Sequence, residues 1–136
     1  MNQLIMLGAV LIVALIIFGL VLVFSRRTSG LNREHFSKRW DEIANMYGRS
    51  AELYPQAIIK ADSLLDEALK KLRYPGKTMG ERLVSANRIW TDTDAVWKAH
   101  KTRNRLVHES NAKVNRSNTA TTLKSFKRAL KDLGAL

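Results

Sequence analysis

The residues from Leu4 to Phe24 form an unbroken run of 21 positions that is apolar apart from Gly8 and Gly19, and the first 25 residues carry no charged side chain. A helix of that length extends about 30 Å, the hydrocarbon thickness of a bilayer. A cleaved signal peptide is the competing reading. It calls for a basic leader, an apolar stretch of about 7–15 residues and a small-x-small cleavage site. Here the leader is Met-Asn-Gln and the run ends Val-Phe-Ser-Arg-Arg. The run therefore reads as a retained single-pass anchor, with membrane contact through residues 4–24. Arg26 and Arg27 follow it at once and no Lys or Arg precedes it. By the positive-inside rule the C-terminal side faces the cytoplasm, and a short N-terminus lies outside an inner (cell) membrane. The run has no Gly-x-x-x-Gly pair, so it presents no specific dimerisation face. The expected division is an anchor over 1–25, a basic juxtamembrane linker over 26–32 and a helical domain over 33–136.

Beyond the linker the chain reads as all-α, a bundle of four to five helices. Phe36, Trp40, Ile43, Ala44 and Tyr47 fall on one helical face. Ala57, Ile58, Ala61, Leu64, Leu65, Ala68, Leu69 and Leu72 form a longer stripe, with Asp62, Asp66, Lys70 and Arg73 on its polar side. Tyr74-Pro75-Gly76 ends that helix. Thr78-x-x-Glu81 is a capping box opening a short third helix. Thr91 to Asp94 supplies capping side chains for a fourth, which runs to His108. Ser117-Asn118-Thr119 is placed to cap a fifth, with Leu123, Phe126, Leu130 and Leu133 buried and Gly134 as the stop. Trp40, Trp90 and Trp97 are expected in the core, because aromatics at helical spacing usually pack.

Chemistry is narrowed mostly by exclusion. The chain has no cysteine, so disulfides, thiolate metal sites and a catalytic thiol are ruled out. Its three histidines sit in no metal-binding motif, and neither a metal nor a cofactor is expected. Gly76-Lys77-Thr78 resembles the end of a phosphate-binding loop, but Lys71 stands where the first glycine belongs and no strand precedes it.

Charge is more informative. The formal net charge is +11, and residues 100–136 alone hold nine basic and two acidic side chains. Lys124, Lys127, Arg128 and Lys131 recur at i, i+3, i+4 and i+7, and only Arg128 has an acidic residue four positions away, Asp132. Like charges at that spacing repel, so the ridge reads either as a solvated face or as a surface for a polyanion, RNA or an anionic lipid. Lys101 and Arg105 extend the basic set onto the preceding helix.

Arg103 lies in register with Val96, Ala99 and Leu106, on an apolar face. A guanidinium there requires either a carboxylate from another helix or an anionic ligand. Asn104 and His108 are i, i+4 neighbours, with His100 one turn earlier. Arg103 and His108 stand about 7.5 Å apart along the axis and roughly 140° around it. They can share a phosphate only at a helix end, at a kink or across a dimer seam. An imidazole can exchange protons with a ribose 2′-hydroxyl or a leaving 5′-oxygen, and a guanidinium can hold the charge of a phosphorane-like transition state. The bland alternative pairs Arg103 with a carboxylate and leaves His108 as an ordinary helix-end residue favoured by the helix dipole.

Arg103-Asn104-x-x-x-His108, on a late helix of an all-α chain, resembles the signature of the HEPN superfamily. The resemblance covers roughly residues 33–133. It implies a helical bundle of about this size, with Arg103 stabilising phosphate, His108 as acid and base and Asn104 as the accessory polar residue of a metal-independent endoribonuclease. It also implies a homodimer with the two Arg/His sets facing across a cleft, although other members bind nucleotides or serve as scaffolds. The membrane anchor departs from the family pattern.

Overall fold

The computed structural model describes the backbone of residues 2–28 and 30–136, and the side-chain surroundings of residues 6–21 and 30–136. Arg26, Arg27 and the two ends of the expected anchor lie outside the described side chains. The described residues are helical throughout, with no strand. They are α1 (Asn2–Thr28), α2 (Arg33–Arg49), a single 3-10 turn (Ala51–Leu53), α3 (Tyr54–Lys71), α4 (Met79–Ser85), α5 (Thr93–His108) and α6 (Arg116–Asp132). They fall into two compact units, Met1–Gly30 and Leu31–Leu136.

The first unit is α1 alone. From Met6 to Val21 every side chain is exposed except the partly covered Gly8 and Gly19, and Leu11, Ile16, Phe18 and Leu20 are each more than half exposed. Apolar residues lie on all sides of it, unlike a surface helix with one apolar stripe. Among the described residues no helix is long and apolar enough to cross a membrane.

The second unit is a five-helix bundle centred on α3, which packs against α2, α4, α5 and α6. The stripe on α3 is the reason: Ala57, Ile58, Ala61, Leu65, Ala68 and Leu69 are fully buried. Its alanines let neighbouring helices approach closely, while each buried Ile or Leu contributes about 1.5–3 kcal/mol. Phe36 from α2, Leu83 from α4 and Phe126 and Leu130 from α6 complete the core. Pro55 sits in the first turn of α3, where its missing N–H costs no hydrogen bond.

The helix ends follow local chemistry. Asn32 caps α2 by accepting from the His35 N–H, Thr78 caps α4 by accepting from Glu81, and Asp92 caps α5 by accepting from Ala95. The expected cap of α6 is corrected: Asn115, not the Ser117–Thr119 segment, accepts from the Asn118 N–H at 2.8 Å. Thr119 is instead fully buried inside the helix, its hydroxyl donating to the Asn115 carbonyl four residues back. Gly134 ends α6 with a positive φ of 74°. The Gly134 and Ala135 N–H groups then close onto the Lys131 and Leu130 carbonyls. The same motif ends α3, but there Arg73 takes the left-handed position with φ 61°. Ala44, assigned to the apolar face of α2, is exposed, and Trp97 is only half-buried, while Trp40 and Trp90 lie in the core.

Candidate functional site

Two carboxylates on α3 organise the polar chemistry of the bundle. The sequence pattern puts Asp62 and Asp66 on the solvent side of the stripe, and the structure corrects this: Asp62 is 3% exposed. Asp62 follows Ile58 by four residues and precedes Leu65 by three, so it stands at the shoulder of the apolar face, where α5 covers it. Buried there, it needs partners.

Those partners come from α5. The His100 Nδ1 lies 2.7 Å from the Asp62 Oδ1, and the Arg103 Nε lies 3.3 Å from the Asp62 Oδ2. Arg103 Nη1 donates to Asn104 Oδ1 at 3.0 Å, and Asn104 Nδ2 lies 3.2 Å from His100 Nε2. The four side chains therefore close a ring of polar contacts. The assignment that satisfies every contact has Nδ1–H donating to the carboxylate and Nε2 accepting from the Asn104 amide. The positions 100, 103 and 104 explain the ring: a step of three and a step of four land on one helical face, here turned to α3.

The ring is not fully closed to ligands. The Arg103 N–H at Nε does not aim at the Asp62 oxygen, so the contact is an ion pair without a hydrogen bond. Its Nη2 makes no hydrogen bond among the described residues, and the side chain is 28% exposed. Arg103 thus keeps donors for an anion while its position is held from below.

Of the residues expected to act together, the structure joins Arg103 to Asn104 and leaves His108 apart. His108 is the last residue of α5, exposed, with no hydrogen bond or ion pair among the described residues. The imidazole that meets the arginine's network is His100, whose partner Asp62 lies 38 residues earlier in the chain. The signal available in sequence was that spacing of His100, Arg103 and Asn104 along one face. What was missing was the identity of the helix beneath it.

A second arginine was not singled out by sequence. Arg82, at 6% exposure, reaches from α4 to Asp66, with Nε to Oδ1 at 2.6 Å and Nη2 to Oδ2 at 3.0 Å. Its Nη1 donates to the Gly76 carbonyl at 2.6 Å. Burial alone pushes the Asp66 carboxyl up, but hydrogen bonds and charge from Arg82 and Lys70 outweigh it and hold the group below its usual value.

The basic residues lie on the outer faces of α5 and α6. Lys101, Arg105, Lys124, Lys127, Arg128 and Lys131 are all exposed. Arg105 has a loose contact to Glu109 at 3.8 Å, and for the other five no ion pair occurs among the described residues. Between α5 and α6 runs an open groove of about 810 Å³, with Arg105 on its wall. A smaller hollow of about 240 Å³, lined in part by Lys124 and Arg128, shares Asp92, Ala95, Thr121 and Ser125 with it. Lys101, Lys127 and Lys131 stand outside both. Among the described residues no three His, Asp or Glu side chains gather as a metal site would require.

Comparison with known proteins gives no matching family model, no matching curated protein and no matching solved structure.

Proposed function

We propose that this chain is a membrane-anchored, HEPN-like helical domain that binds RNA on the α5–α6 side of its bundle. The observation that carries the reading is the set of exposed cations there, five of them without a carboxylate partner among the described residues. Unneutralised Lys and Arg on adjoining helices favour a phosphate chain, and their repulsion is relieved when one binds. The anchor rests on the apolar run Leu4–Phe24 and on the all-round exposure of the described part of α1. Such a surface is stable against lipid and unfavourable in water. The two arginines after the run favour a cytoplasmic domain on an inner membrane.

The test uses the full chain in a neutral detergent. Short RNA should bind, with affinity falling steeply as salt rises. Absence of RNA binding at low salt ends this reading and leaves the alternative of a non-catalytic scaffold for protein or anionic lipid. Retention of the chain in membranes after alkaline extraction tests the anchor separately.

A second reading, cleavage of the bound RNA, is favoured by the spare donors of Arg103 beside Asn104. In it Arg103 steadies the phosphate, and His108 of a second protomer supplies the proton transfer that His108 of the same helix is too far round to give. The reaction would proceed through the 2′-hydroxyl and leave a cyclic phosphate and a 5′-hydroxyl. RNA cleavage in EDTA that is lost in both Arg103→Ala and His108→Ala supports it. Cleavage unchanged in either variant removes that residue from the chemistry.

A further inference from the structure

We propose that the seam between α5 and α6 holds the backbone of a single RNA strand, with cations on the phosphates and threonine and serine oxygens on the ribose hydroxyls. The proposal rests on the RNA reading above and assigns it a place that is not the Arg103 ring.

α5 and α6 form an antiparallel hairpin, tied at one end by Asp132, which accepts from the Thr91 N–H and hydroxyl at 2.8 and 2.6 Å. The hairpin leaves an open trough whose walls run from Arg105 and Lys113 at one end, past Lys98, to Lys124 and Arg128 at the other. From Asp92 to Arg105 it extends about 20 Å at the helical rise, enough for a few successive phosphates. Lys98 and Lys113, like Lys124 and Arg128, are exposed and make no ion pair among the described residues. Asp92 and Asp94 lie on the same wall. Asp92 is held by its cap to Ala95 and shares its end of the trough with the two cations Lys124 and Arg128.

The hydroxyls give the trough its second property. Thr102 donates to the Lys98 carbonyl, Ser125 to the Thr121 carbonyl and Thr122 to the Asn118 carbonyl. Their hydrogens are spent on the helix backbone, and what remains for a ligand is oxygen lone pairs. Lone pairs repel phosphate oxygens and accept from hydroxyl groups. A chain that carries phosphates and free hydroxyls in alternation satisfies both kinds of wall, and ribose supplies that hydroxyl at each step where deoxyribose does not. Among the described residues no aromatic side chain lines either hollow, so bases gain no stacking platform there. Binding should therefore depend on the backbone and little on base sequence.

The experiment measures binding of a labelled 12-nucleotide RNA, and of DNA of the same sequence, to the full chain in neutral detergent. Lys98→Ala/Lys113→Ala should weaken RNA binding about tenfold and flatten the salt dependence by one to two counterions. The charge-matched pair Lys38→Ala/Arg39→Ala on α2 should change it less than twofold. RNA should bind at least about threefold tighter than DNA, and Thr102→Val/Ser125→Ala should erase that preference with little loss of DNA binding. Equal losses in the two charge pairs, or equal RNA and DNA binding by the parent chain, overturn the groove while leaving RNA binding by the domain intact. A parent chain that binds no RNA at low salt overturns both. The four lysine and arginine positions replaced are exposed, and circular dichroism of each variant verifies that the helices persist.

Discussion

Asp62 and Asp66 stand one turn apart on α3, and each receives an arginine from another helix, yet the two contacts are completed differently. Arg82 meets Asp66 with both arms of its fork and gives its remaining arm to the Gly76 carbonyl. It is a buried clasp that ties the α3–α4 loop to the core. Arg103 meets Asp62 through Nε without a hydrogen bond, spends one N–H on Asn104 and stays partly in solvent. Asp62 does not depend on it alone, because His100 also satisfies the carboxylate. One arginine is committed to the fold and the other is only steadied by it. The difference follows from geometry: a bidentate, enclosed pair leaves nothing for a ligand, whereas a side-on contact at the surface does.

The largest expected effect breaks the clasp. Arg82→Ala leaves the Asp66 carboxylate with only the exposed Lys70 as partner and frees the loop, and should destabilise the bundle by about 3 kcal/mol in chemical unfolding. The same pair has a pH signature. The folded Asp66 is held below the unfolded value of 3.8, so its contribution is complete above that value and disappears as pH falls through the lower folded value. Stability measured from pH 5 down to 2 should therefore fall less steeply in Asp66→Asn than in the parent chain. An equal slope in both would mean that the clasp carries no ionic stabilisation.

Gly76→Ala comes next. A Cβ there would meet the Arg82 backbone N at 2.8 Å, with φ at +151°. Shifting the loop should cost about 2 kcal/mol, seen as a lower Tm. Arg103→Ala should cost less, about 1 kcal/mol, since His100 remains on Asp62 and the side chain was partly exposed. A loss as large as that of Arg82→Ala would erase the contrast between the two arginines. The smallest effect has the opposite sign. Arg73→Gly relieves a left-handed residue at the end of α3 and should stabilise by about 0.5 kcal/mol, small because glycine also loosens the unfolded chain.

Much of the bundle is legible in the sequence. The stripe from Ala57 to Leu69, the Thr78 and Asp92 caps and the Gly134 stop each depend on residues within one or two turns of one another, and local spacing carries that information. The cap of α6 was misplaced by two residues because Asn115, Ser117 and Asn118 are all competent caps, and only the loop length decides among them. For Arg103, sequence established that something anionic had to face it, and left open whether a carboxylate or a ligand would do so.

Periodicity is a one-dimensional property, and it determined the helices, their buried faces, the apolar N-terminal run and the concentration of charge in the last two helices. Which charge meets which was decided only when α4 and α5 came to rest against α3. Asp62 is 38 residues from His100 in the chain, and a carboxylate on the shoulder of a stripe looks solvated until another helix covers it. Hydrophobic burial chooses the packing of the helices, and the polar contacts then settle into whatever neighbours that packing provides.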